Sequence, residues 1–120
     1  DADEASHIIE VDCTPGQERI STIHRTGTYR EITPVGDETS VIVGNDFQVV
    51  VKNRNVNVLG NCNLTVDSNC STYIKGNWNI QVDGNVIEHI GGTLLQTTGG
   101  TCTEAYGGNQ VTTAPNIFLN

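Results

Sequence analysis

Methionine is absent from the 120 residues, aromatic side chains make up 5%, and 6 Lys or Arg stand against 14 Asp or Glu. Each shortage excludes something. With no Met to begin on, the chain reads as the tail end of a longer protein. With so few large apolar side chains it would make a poor monomeric globule. Its formal net charge of -8 opposes a phosphate backbone, so no nucleic-acid partner is expected. No apolar run approaches the roughly 20 residues that span a bilayer as a helix, and no signal-peptide pattern opens the sequence. Cys13, Cys62, Cys70 and Cys102 show no CxxC and no His-paired zinc spacing, and are too few for a disulfide scaffold. They are expected as reduced, packed thiols. What is abundant is Asn, Thr and Gly, a composition suited to turns and exposed strands, so almost no helix is expected.

Those residues are ordered. Read in blocks of eight from Gly36, the chain gives GDETSVIV, GNDFQVVV, KNRNVNVL, GNCNLTVD, SNCSTYIK, GNWNIQVD, GNVIEHIG, GTLLQTTG, GTCTEAYG and GNQVTTAP. The seventh position is Ile42, Val50, Val58, Val66, Ile74, Val82 and Ile90 before it weakens to Thr98, Tyr106 and Ala114. Val56, Leu64 and Ile80 at the fifth position share its parity, as do Cys62, Cys70, Trp78, Val86 and Leu94 at the third. Alternation along a strand puts them all on one side. Asn55, Asn57, Asn63, Thr65, Asn79 and Gln81, at positions four and six, belong in water. Each octad thus reads as a short strand plus a Gly-Asn corner of residues that tolerate positive φ.

Five or six strand residues and a corner make one side of a prism, so a closed triangular coil needs about three octads. One chain wound alone would give about three coils with two raw edges. Three chains wound together would give about ten layers at ~4.8 Å each, a shaft on the order of 50 Å long. The expected fold is therefore all-β: an intertwined trimeric triangular β-helix, its axis built from copies of Ile42, Val50, Val58, Leu64, Val66, Ile74, Ile80, Val82 and Ile90. Residues 36–115 form this shaft, and 116–120 the tip terminus. Residues 1–35 do not follow the octad. HIIEVD (7–12), ISTIHR (20–25) and TYREI (28–32), separated by Thr14-Pro15-Gly16 and Thr26-Gly27, read as a small antiparallel β lead-in.

The segment HIIEVDCTPGQERISTIHRTGTYREITPVG, the Gly-headed octads and the closing TAPNIFLN together resemble the C-terminal part of the central spike, or cell-puncturing, proteins in the baseplates of contractile-tailed phages of the T-even type. The chain is also similar to the valine-glycine-repeat spikes of type VI secretion. Departures from the pattern are Lys52 and Ser68 in place of the octad Gly, Cys13, and the loss of the Val/Ile stripe after residue 91. The resemblance implies a homotrimeric needle of the virion tail baseplate, joined to the baseplate hub on its N-terminal side and driven through the outer membrane of the host when the sheath contracts. It implies no enzyme in this chain, although a muramidase domain precedes the needle in relatives. It also implies a small conical tip protein seated on Ala114, Pro115, Asn116, Ile117, Phe118, Leu119 and Asn120, where three open strand edges need a cover.

No cofactor is required. Glu88 and Glu104 fall at the inward fifth position, so copies would bring carboxylates together at the axis, around either a cation or a water-filled polar stretch. Rings of Cys62, Cys70 or Cys102 could hold a soft metal, but plain packing is favoured. Trp78 reads as a packed corner residue, and His7, His24 and His89 as scattered in separate elements, each solvated or hydrogen-bonded. Glu10, Asp12, Glu18 and Arg19 read as a salt-bridged turn. A tail-fibre or adhesin shaft would share the architecture. An ice-binding solenoid would need a flat outer Thr array, and a polysaccharide-cleaving β-helix would need long coils around an acidic cleft; neither fits these octads.

Overall fold

The computed structural model describes residues 6–119. The chain divides into two compact units, Asp1–Thr65 and Val66–Asn120.

The first unit opens with the antiparallel lead-in that the alternating Ile, Val and Thr residues predict. Its strands β1 (Ile8–Asp12), β2 (Arg19–Ile23), β3 (Tyr29–Ile32) and β4 (Glu38–Val41) pair in chain order. Each connection is a short turn closed by a backbone hydrogen bond: Gln17 N–H to Thr14 O, Gly27 N–H to His24 O and Gly36 N–H to Thr33 O, all 2.9 Å. Gly16, Gly27 and Gly36 take positive φ there, at 82°, 99° and 88°. A side chain would strain that backbone. At Gly27 a Cβ would also meet Val43 Cγ2 at 3.5 Å. The fourth strand lies inside the first octad. The Thr33–Gly36 turn folds Glu38–Val41 back against β3, with Tyr29 opposite Val41 and Ile32 opposite Glu38.

Beyond β4 the first unit changes character. Its chain bends at residues 43–44, 51–52 and 59–60, eight residues apart, and is extended between. In the second unit the bends fall at 67–68, 75–76, 83–84, 91–92, 99–100 and 107–108, again every eight residues. The corners therefore lie at the eighth and first octad positions rather than at the Gly-Asn pair, and they do not use positive φ. Among the described residues that conformation occurs at Gly16, Gly27 and Gly36 alone. This corrects the expectation for the corners, and it explains how Lys52 and Ser68 can stand where other octads have Gly. A corner made with ordinary φ accepts a side chain.

The described residues bury no apolar side chain, and Ser21, 4% exposed, is the one buried polar residue. The reduced cysteines are exposed rather than packed, and Trp78 lies against no core within its chain.

Candidate functional site

Two regions of the molecule hold groups that can act on something else. The first is a polar cluster on one face of the lead-in sheet. The strand register sets Glu10 opposite Ser21 and Ser21 opposite Glu31, with Arg19 two pairs along on the same face, opposite Asp12. Arg19 Nη2 donates to Glu10 Oε2 at 2.7 Å, and its Nη1 lies 3.8 Å from Glu31 Oε1. The Glu10 carboxylate holds the guanidinium above its usual pKa, first through that hydrogen bond. Of the salt-bridged turn expected from Glu10, Asp12, Glu18 and Arg19, the Glu10–Arg19 ion pair forms, whereas Asp12 and Glu18 accept backbone hydrogen bonds instead. Thr14 N–H donates to Asp12 Oδ1 at 2.9 Å and Gly16 N–H to Glu18 Oε1 at 3.0 Å. The backbone N–H of Thr14 favours the charged form of Asp12 and lowers its pKa. Glu31 was not foreseen as the second carboxylate beside Arg19; pairing the strands outward from the Thr26-Gly27 turn would have found it. Ser21 Oγ has no hydrogen-bond partner among the described residues.

Two of the three histidines, expected to be scattered, come together. The register that places Ile8 opposite Ile23 carries on to bring His7 against His24, with ring centroids 4.5 Å apart. His7 Nδ1 accepts from Arg25 N–H at 3.3 Å, and His24 Nδ1 from Thr26 N–H at 3.3 Å. Both imidazoles thus brace the turn before β3. On the sheet face opposite the polar cluster, the face that His7 and His24 share, Val11, Ile20 and Ile32 form an apolar row beside an open cavity of about 260 Å³.

The second region is the octad chain itself. Seventh-position residues Ile42, Val50, Val58, Val66, Ile74, Val82 and Ile90 retain between 42% and 49% exposure, whereas eighth-position Val51 and Leu59 reach 92% and 96%. The stripe lies on the sheltered side of each bend, still without a partner. Leu64 and Ile80 at the fifth position are more open. In the first unit no backbone–backbone hydrogen bond among the described residues involves residues 44–65, and in the second none involves residues 66–119. Extended backbone with every N–H and C=O unpaired is an edge on both sides.

Of the two fifth-position carboxylates, Glu104 accepts a 2.7 Å hydrogen bond from Tyr106 Oη, two residues along, which raises the pKa of the phenol. No group of three His, Cys, Asp or Glu side chains among the described residues could hold a metal ion within one chain, so Glu88 and Glu104 would need carboxylates from other copies. At the C-terminal end Ile117, Phe118 and Leu119 are exposed, while Asn120 lies outside the described residues. No helix among the described residues is long and apolar enough to cross a membrane.

No family model matches the sequence. Two curated proteins do. The pre-baseplate central spike protein Gp5 of Enterobacteria phage T4 is 56% identical over 36 residues, 30% of this chain and 6% of that protein. Protein Gp5 of Vibrio phage KVP40 is 50% identical over 40 residues, 33% of this chain and 10% of its own length. The chain thus matches a tenth or less of either relative. On these two likenesses, the chain is similar to the central spike proteins of phage baseplates.

Proposed function

We propose that this chain is the shaft of a central spike in a phage tail baseplate, an intertwined homotrimer that serves as a mechanical needle. The observation that carries the reading is the octad chain. It is bent every eight residues, apolar on the sheltered side of its bends, and from residue 44 onward without a backbone hydrogen-bond partner among its described residues. Such a segment needs other strands to pair with and other apolar stripes to pack on, and two more copies supply both. The likeness to a pre-baseplate central spike protein supplies the setting, the virion tail.

In this reading the seventh- and fifth-position residues meet around the axis, and the backbone groups now open pair from layer to layer across copies. A shaft so interlocked resists shear without any catalytic group, and its outside is acidic, with Asn and Thr among scattered exposed apolar residues such as Val51 and Leu59. It passes through the outer membrane of the host rather than staying in it. The lead-in faces the baseplate hub. The terminus from Ala114 to Asn120 carries a small conical tip protein, and Glu88 and Glu104 line a polar axial stretch that takes a cation or water.

Phage particles whose spike is shortened by three whole octads test the reading. They should assemble and contract yet fail to breach the outer membrane, seen as loss of periplasmic enzyme release from host cells. Undiminished release by such particles would overturn the needle role.

A further inference from the structure

The two faces of the lead-in sheet have different fates. Tyr29 lies opposite Val41, so by strand alternation Ile42, one residue on, belongs to the other face, with Val11, Ile20 and Ile32. The octad stripe that Ile42 begins thus continues onto that apolar face. Glu10, Ser21 and Glu31 point the opposite way, and where the stripe meets an axis their face is on the outside.

A shallow cavity of about 220 Å³ lies on that outer face, lined by Arg19, Ser21, Ile23, Tyr29 and Glu31. Its two ends differ. Ile23 and Tyr29, opposite each other in the register, make an apolar and aromatic wall at one end. Arg19 and Glu31 stand at the other, with Ser21 between. Ser21 is 4% exposed, and its Oγ has no hydrogen-bond partner among the described residues. A hydroxyl withdrawn from water and left unpaired costs stability until something completes it.

The surrounding charges select what completes it. Glu10 is satisfied by Arg19 at 2.7 Å, whereas Glu31 Oε1 lies 3.8 Å from Arg19 Nη1, too far for a hydrogen bond. Glu10, Asp12 and Glu31 set three carboxylates against the single guanidinium of Arg19 on this face, so an anion is opposed. A cation with several N–H donors can give one to Glu31 and another to Ser21 Oγ. Its alkyl stem then covers Ile23 and the ring of Tyr29.

We propose that this slot binds an alkylguanidinium or alkylammonium group, held at its head by the Glu31 carboxylate and Ser21 Oγ and along its stem by Ile23 and Tyr29. This is the chemistry of an arginine or lysine side chain on a protein seated against the sheet, or of a small free cation. The slot lies within one chain, and its staying open in the assembly rests on the trimeric reading above.

Butylguanidinium and a blocked Gly-Arg-Gly peptide, titrated into the isotope-labelled native full chain, test the site by NMR; butylurea, neutral and of similar shape, is the control. Resonances of Ser21, Ile23, Tyr29 and Glu31 should shift saturably with the cations and not with butylurea. Glu31→Gln should weaken binding about tenfold, because a charge-assisted hydrogen bond is lost. Ser21→Ala should weaken it about threefold or more without lowering the thermal midpoint, since it removes an unpaired buried hydroxyl; a merely structural serine would not separate the two readouts. Glu38→Gln, on the other face and paired with Arg30, should leave binding unchanged. Tighter binding of the peptide than of butylguanidinium assigns the slot to a protein partner, and the reverse assigns it to a free cation. Equal shifts with butylurea, no saturable shift with either cation, or full affinity in both Glu31→Gln and Ser21→Ala would overturn the site. Light scattering on the same samples separates the two readings: a trimer that binds neither cation loses the slot alone, and a monomer that binds keeps the slot and loses the shaft.

Discussion

Replacing Val82 by Ala removes apolar surface at a position that the isolated chain only half covers. Val82 is 49% exposed, so about half of its burial is left to be gained when copies assemble. Full burial of a side chain of this size contributes about 1.5–3 kcal/mol, and the missing half is therefore worth about 1 kcal/mol. Alanine keeps a minor part of that, so the loss is about 0.5–1 kcal/mol per copy and about 1.5–3 kcal/mol over three copies around one axis. Leu59 is the control. At the eighth position it is 96% exposed on the outside of a corner, and Leu59→Ala should change stability by no more than about 0.5 kcal/mol. Guanidinium unfolding followed by circular dichroism, at one fixed chain concentration because assembly couples to stability, reads both variants. Equal shifts, or a larger one for Leu59→Ala, would refute the assignment of the seventh position to the axis.

Other substitutions probe the lead-in and the distal octads. Gly27 sits at φ 99° with Val43 Cγ2 3.5 Å from where a Cβ would lie, so Gly27→Ala should destabilise the sheet by about 1–2 kcal/mol, measured as a shift in thermal midpoint. Asp12 has its pKa lowered by the Thr14 N–H, so the turn it caps is stabilised above the ordinary Asp titration and loses that support as pH falls through the depressed folded value. A carboxyl titration by NMR should find Asp12 ionising below the Asp of an unfolded peptide, and Asp12→Asn should flatten the acid limb of the stability profile. Tyr106 donates to Glu104 and should ionise above free tyrosine; Glu104→Gln should bring its ultraviolet difference titration back down.

Much of this molecule was legible in the sequence because its periods are short. Alternating Ile, Val and Thr around Pro15-Gly16 and Gly27 give the lead-in sheet, and the turn residues mark where it reverses. The eight-residue spacing of Gly and Asn corresponds to the spacing of the bends, but Asn behind Gly misled as to how each corner is made. The backbone turns at the eighth and first positions without positive φ, and Lys52 and Ser68 were the sign that no glycine conformation was needed. The contact of His7 with His24 was hidden because it depends on the register of β1 on β2, which one-dimensional spacing does not show. The same holds for Ser21 and Glu31. Val82 and Leu64 are 49% and 80% exposed, so it is composition and parity, rather than packing within the chain, that point to the proposed axis.

Solution mass by light scattering, repeated after unheated exposure to SDS, tests the assembly most directly. An interlocked shaft predicts a detergent-resistant particle with three times the 12.9 kDa of one chain and an unchanged β spectrum. A 12.9 kDa species whose β signal disappears in SDS would contradict it.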